Sequence, residues 1–373
     1  NIHDNIYSLS QEILNDNRVE IILASKSKNL VNELLGILFN ENNSKLVYKR
    51  QFIRVISERF DFLRDIVERI WINKQNNKQQ KSQITKNINK NLQYVVNNIG
   101  IKEFKGKFNE EPVFVISAGP SLDKNIQKLN DIGNGGIIVA VDTAIDPLLT
   151  ESIRPDFIVV IESHIDGYNK ILKKHTNLDI PLVYSMGTYY KTVENYSGLK
   201  IAALSAGDIR LNQLDKILKK GRIKTEGAVS AAAIDFAVQL GGTPVVLVGQ
   251  DLAFKKNRTH AANTFYEEKG KDDVFLRAIP GVNKEKVYTD ISYYTYLRCI
   301  ENYILEHDEV DFIDATEGGA KIKGTKINKL KTVIDKYCEN DISKKKKIEQ
   351  IVNGYDFNIN YDITKLKKII NGN

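Results

Sequence analysis

Hydrophobic positions in this chain change period once. Up to about residue 100 they recur at three- and four-residue spacing, as in Leu30, Leu34, Leu35 and Leu38 and again in Phe52, Val55, Ile56 and Phe60, which predicts amphipathic helices. Residues 73–90 are rich in Asn, Gln and Lys, the composition of an exposed linker or a solvated helix leading into the next domain. From Pro112 onward short β-rich runs alternate with helical stretches, at 113–117, 137–141, 157–161, 182–185, 201–204 and 245–248, with a last run at 311–314. Strands separated by helices need right-handed crossovers, and therefore a mostly parallel sheet covered on both faces. The expected fold is α/β: a Rossmann-like, mostly parallel sheet with helices on both faces, flanked by helical N- and C-terminal regions, divided as 1–100, 101–325 and 326–373.

Composition narrows the class without naming a function. The 373 residues are 42% hydrophobic, enough for a real core, and the apolar runs are of strand length, far short of the roughly 20 residues a membrane-spanning helix needs. Two cysteines, Cys299 and Cys338, fit a reducing cytoplasm better than a disulfide scaffold. The first residue is Asn1 rather than Met, so the lack of a secretory signal there carries little weight. The net charge of +7 favours anionic ligands only weakly, and runs such as Lys344 to Lys347 and Lys365 to Lys368 read as solvated helix faces. Neither zinc-ligand spacing nor basic residues interleaved with stacking aromatics are present, so nucleic acid is not indicated as a partner.

Ligands of such sheets bind beyond the carboxyl ends of the strands, which directs attention to the residues following each run. These are small or polar: Ser117, Ala118, Gly119, Pro120 and Ser121 after the first, Asp142 and Thr143 after the second, Glu162, Ser163 and His164 after the third, and Gly249, Gln250 and Asp251 after the sixth. Gly119 permits close backbone approach and Ser121 can cap a helix starting at Leu122, so this loop reads equally as a phosphate cradle or as an ordinary capped turn. It matches neither the G-x-G-x-x-G fingerprint nor the P-loop, which disfavours a dinucleotide dehydrogenase and a P-loop NTPase. Asp142 can accept hydrogen bonds from a ribose or base, or cap the next helix. Thr225 and Gly227 open the small-residue helix from Ala231 to Leu240, whose N-terminus suits a phosphate or base edge as well as close packing on the sheet. Of five histidines, His260 is the best placed to serve as a general base, with His164 as competitor, while His3, His175 and His307 read as surface residues.

Three ordered motifs carry a resemblance: Ser117 to Asp123, Pro155-Asp156-Phe157 leading to Glu162, and Gly249 to Phe254 followed by Thr259-His260-Ala261. With the lead-in Lys90-Asn91-Leu92, they resemble the motility-associated factor (Maf) flagellin glycosyltransferases, which share a domain with archaeal pterin diphosphokinases and whose central domain is similar to bacterial sialyltransferases using CMP-activated sugars. The resemblance implies inverting transfer of a nonulosonic acid of the pseudaminic or legionaminic type from a CMP-sugar to Ser or Thr hydroxyls of flagellin, in the cytoplasm and with no metal or other cofactor. It implies that Ser117 to Ser121 hold the donor phosphate, that Asp142 contacts the nucleotide, and that Thr225 and Gly227 line the cytidine pocket. The sialyltransferases place their base, a His, in a later lid. The matching stretch around Val287 to Ile291 has none, so His260 takes that role here, with Asp251 orienting the loop. Glu162 stands where the family more usually has Asp.

Two other readings remain. A pterin diphosphokinase would use ATP and Mg²⁺ in the same crevice, held by Asp142, Glu162 and Asp251. A non-catalytic flagellin-binding assembly factor would use the helical flanks.

Overall fold

The computed structural model describes residues 81–208, 210–225, 228–254, 259–265 and 276–371, which lie within the compact unit Lys74–Asn373. A helix, α1 (residues 81–97), leads into β1 (Ile99–Gly100), and each apolar run from 113 onward then forms a strand. These are β2 (Val113–Ile116), β3 (Ile137–Val141), β4 (Phe157–Val160), β5 (Leu182–Ser185), β6 (Lys200–Ser205), β8 (Val245–Val248) and β11 (Phe312–Asp314). Strands that the sequence pattern does not reveal are β1, β7 (Arg222–Ile223), the hairpin β9 (Arg277–Pro280) with β10 (Lys286–Thr289), and β12 (Lys326–Ile327). Between them run α2 (Leu122–Asn125), α3 (Ile145–Thr150), α4 (Ile165–Lys170), α5 (Tyr190–Asn195), α6 (Leu211–Leu218), α7 (Val229–Gln239) and α8 (Ile291–Glu306). The chain closes with α9 (Leu330–Tyr337), α10 (Lys344–Asn353) and α11 (Ile363–Asn371).

Alternation along the strands explains why their sequences are apolar throughout. Phe157 and Val159 of β4 enter one core while Ile158 and Val160 enter another, and on β6 Ile201 and Ala203 part from Ala202 and Leu204 in the same way. Both faces are buried, as a parallel sheet requires. On the first face α7 lies across β2, β3 and β4, its Ala232 and Ala233 allowing close approach, and Phe157 meets Phe104 and Phe236 edge-on with ring centroids 5.8 and 5.2 Å away. The opposite face is covered by α1, α6 and α11 near β5 and β6, and by α4 near β4.

All pairings in the large sheet are parallel, in the order β1-β6-β5-β4-β3-β2-β8-β11-β12 with β7 beside β6. The chain steps from β2 outward to β6, then returns through α7 to place β8 on the other flank of β2. Strand order therefore reverses at β2, and the crevice of this fold opens at the carboxyl ends of β3, β2 and β8. Among the described residues no helix is long and apolar enough to cross a membrane.

Polar composition misleads in three places. Residues 81–90 are not an exposed linker or an evenly solvated helix: Ile88 and Leu92 of α1 are buried, and so are Asn87 and Asn91. The Asn87 amide donates to the carbonyls of Ser163 (2.9 Å) and Gly187 (3.0 Å), and that of Asn91 to Met186 (3.0 Å) and Thr188 (2.7 Å), pinning the loops that follow β4 and β5. Lys344 and Lys347 are not simply solvated either; Lys344 binds Asp156 (2.9 Å) at the amino end of β4 and Lys347 binds Glu111 (2.9 Å). Lys220, 1% exposed, donates to the carbonyls of Val96 (3.2 Å) and Asn98 (2.6 Å) at the end of α1 and to the Tyr355 hydroxyl (2.7 Å). Because charged hydrogen bonds of this kind contribute about 1.5–3 kcal/mol each, Lys220→Met should lower the thermal midpoint by several degrees. An unchanged melting curve would show that the clamp contributes nothing.

Candidate functional site

The loop after β2 folds onto the end of β8, and its donors are used there. Ser117 N–H donates to the Val248 carbonyl (2.9 Å), Gly119 N–H to that of Gly249 (2.8 Å), and Leu122 N–H to that of Gly119 (3.0 Å). The Ser121 N–H donates to both carboxylate oxygens of Asp251 (3.2 and 3.1 Å), and its hydroxyl donates to Oδ1 (2.6 Å). Ser121 thus makes no side-chain cap for α2, which is a single turn of four residues. Gly119 is required for a related reason: a Cβ there would stand 2.1 Å from Asp251 Oδ2 and 2.5 Å from the Gly249 carbonyl oxygen. The N–H groups of Ser117, Gly119, Ser121 and Leu122 are therefore engaged within the protein. Close approach at Gly119 serves the protein's own carboxylate.

Asp251 is the hub of this corner. Its carbonyl accepts from Ala320 N–H (2.7 Å), and the glycines after β11 fit tightly around it; Gly319, with φ +74°, would otherwise press a Cβ within 2.4 Å of its backbone. Sequence reading missed Gly318 and Gly319, although paired glycines after the apolar run at 311–314 mark a tight backbone approach. Beside them Gln250 N–H donates to the Thr316 hydroxyl (3.1 Å), Ser117 donates to Gln250 Oε1 (2.7 Å), and Thr316 N–H donates to Asp314 Oδ1 (3.0 Å). Burial lifts the Asp314 carboxyl to about 6, against the pull of its Thr316 bonds.

On the other flank, Asp142 starts a short 3-10 turn at the crevice end of β3, and its Oδ1 accepts the Thr143 N–H (2.8 Å). Glu162, at the end of β4, accepts His164 N–H at Oε1 (2.7 Å). Burial raises the Asp142 carboxyl to about 7; the Thr143 N–H opposes the rise and the charge of Glu162 adds to it. Because the folded value exceeds the unfolded one, the stabilising contribution of protonated Asp142 is complete below about pH 4 and is lost as pH climbs through about 7. Wild type should therefore lose thermal stability between about pH 4 and 7 relative to Asp142→Asn, and parallel curves for the two proteins would contradict this.

His260 sits on the 259–265 loop, which docks directly on the first loop through Ala261 N–H to the Ala118 carbonyl (2.8 Å) and Ala262 N–H to Asp123 Oδ1 (2.7 Å). Its Nδ1 lies 2.9 Å from the Thr259 hydroxyl, and Thr259 is in turn held by the Tyr293 hydroxyl at 3.3 Å from α8. Burial pushes the imidazole down to about 4, so it is neutral at physiological pH. Thr225 lies half-buried four residues before α7, which begins at Val229 rather than Ala231; Gly227 lies outside the described residues. Two other histidines are not the surface residues their contexts suggested. His175 Nε2 meets Asp146 at 2.6 Å and His307 stacks on Tyr303 at 4.1 Å, while His3 is outside the described residues.

The structure thus brings the ends of β2, β8 and β11 into one bonded corner around Asp251, with the His260 loop docked on it and Asp142 and Glu162 on the adjoining strands. Among the described residues no group of three His, Cys, Asp or Glu side chains converges as a metal site. The family resemblance is borne out: residues 83–257 match the family described as 6-hydroxymethylpterin diphosphokinase MptE-like. Among solved structures the chain is similar to the MAf glycosyltransferase from Magnetospirillum magneticum AMB-1, with a TM-score of 0.52 and 17% identity over 74% of this chain and 45% of that one. This chain therefore spans less than half of that neighbour's length, and the likeness is one of fold. No curated protein matches.

Proposed function

We propose, from the match of residues 83–257 to the MptE-like family, that the crevice beyond β3, β2 and β8 belongs to a glycosyltransferase that uses a CMP-activated nonulosonic acid. The acceptor in this reading is a Ser or Thr hydroxyl of flagellin. One observation carries it: a neutral, half-buried imidazole, His260, on a loop bonded to the turn that closes the switch point. In this reading the His260 imidazole takes the acceptor proton. The acceptor oxygen then bonds to the anomeric carbon as the bond from that carbon to the phosphate oxygen breaks, and CMP departs with the electron pair. Asp251 orients the loop against which the donor lies. The fold neighbour carrying the name glycosyltransferase supports the reading at the level of architecture.

Asp142 and Glu162, coupled at neighbouring strand ends, favour a second reading in which they hold Mg²⁺ for an ATP-dependent pterin diphosphokinase. Asp251, with both oxygens engaged by Ser121, would contribute least to such a site. Thermal shift separates the two. Stabilisation by CMP or CDP without metal is the expected result, and stabilisation by ATP with Mg²⁺ alone would sink the glycosyltransferase.

A further inference from the structure

Most backbone donors of the loop after β2 already have partners inside the protein. Ser117, Gly119, Ser121 and Leu122 spend their N–H groups inside the protein, and Pro120 has none. One side chain at this point is built differently. Gln250 is 5% exposed, its N–H is fixed by Thr316, and its Oε1 receives the Ser117 hydroxyl at 2.7 Å. In this arrangement the hydroxyl donates to Oε1, and Nε2 lies at the other end of the amide. Nε2 makes no hydrogen bond among the described residues, and it is not one of the polar atoms sealed from solvent without a partner, so it retains some access to solvent at the carboxyl end of β8. A buried carboxamide with two unused donors is costly unless a ligand or water answers them.

Register gives the position. Val248 pairs with Ile116 and Ile116 with Ala140, so Gln250 and Asp142 each stand two residues beyond one level of the sheet, on strands about 10 Å apart with β2 between them. That is the switch point itself, where phosphoryl groups bind in folds of this class.

We infer that Gln250 is the phosphate-reading residue of the site: its carboxamide nitrogen, aligned by Ser117, donates to a phosphoryl oxygen of the bound nucleotide in place of the closed backbone cradle. The inference rests on the nucleotide-binding reading above. The role belongs to recognition, and Gln250 takes no part in proton transfer.

Calorimetric titration of the full chain tests it with CMP, with cytidine, which lacks the phosphate, and with ATP and adenosine in the presence of Mg²⁺. Gln250→Leu removes the donors at similar volume, and Gln250→Glu keeps an acceptor for Ser117 while facing the phosphate with a negative charge. CMP affinity should fall about tenfold in the Leu variant and further in the Glu variant, with cytidine unchanged. Unchanged CMP affinity in the Leu variant, or equal losses for CMP and cytidine, would overturn the assignment. Should wild type bind ATP and not CMP, the glycosyl-transfer reading falls. A loss then seen for ATP and not adenosine still upholds Gln250 as the phosphate reader.

Discussion

Asp251→Ala should unfold the corner on which every part of the site depends. The substitution leaves the Ser121 N–H and hydroxyl without their acceptor at a residue 1% exposed, and removes the group against which Gly119 packs. Unsatisfied buried donors cost about 1–3 kcal/mol each, so a stability loss of about 3–5 kcal/mol is expected, read as a lower denaturant midpoint. Nucleotide binding should fall with it. Asp251→Asn, which retains one acceptor, should be milder. Wild-type stability in the Ala variant would mean that the Ser121 bonds are incidental.

His260→Ala has the second large effect, on chemistry and not on folding. General-base catalysis contributes about 100- to 10,000-fold, so transfer should drop by that factor while CMP affinity stays within about twofold. The pH profile gives an independent check. With the imidazole pushed down to about 4, its base form is complete well below neutrality, and the acid limb of kcat/KM should lie near pH 4 and not near the ordinary histidine value of about 6.5. A limb near pH 7 that vanishes in Asp142→Asn would instead give the proton to Asp142, whose carboxyl sits at about 7.

What could be read in advance follows from where the information lies. The strands were legible because both faces of a parallel sheet are buried, which makes runs such as Val245 to Val248 apolar throughout, and the polar residues at their carboxyl ends marked the crevice. β7, of two residues, and the β9–β10 hairpin, which is mostly not buried, lack the continuous apolar run that marked the other strands. Tertiary use of polar groups was illegible for another reason. Ser121 reads as a helix cap until Asp251, 130 residues away, is seen to take its donors, and Asn87 and Asn91 read as surface until the loops after β4 and β5 present carbonyls to them. Gly119 and His260 were singled out from the sequence, and both lie at the carboxyl-end corner of the sheet. The glycines at 318 and 319, the amide of Gln250 and the raised carboxyl of Asp142 needed the assembled sheet.

The central claim is glycosyl transfer at this crevice, and intact mass spectrometry of flagellin incubated with the protein and CMP-activated nonulosonic acids tests donor, acceptor and activity at once. The account predicts a mass gain of whole nonulosonic acid residues on flagellin, with CMP released and no gain with His260→Ala. Unmodified flagellin under those conditions, with AMP formed from ATP and a hydroxymethylpterin in a parallel incubation, would contradict it.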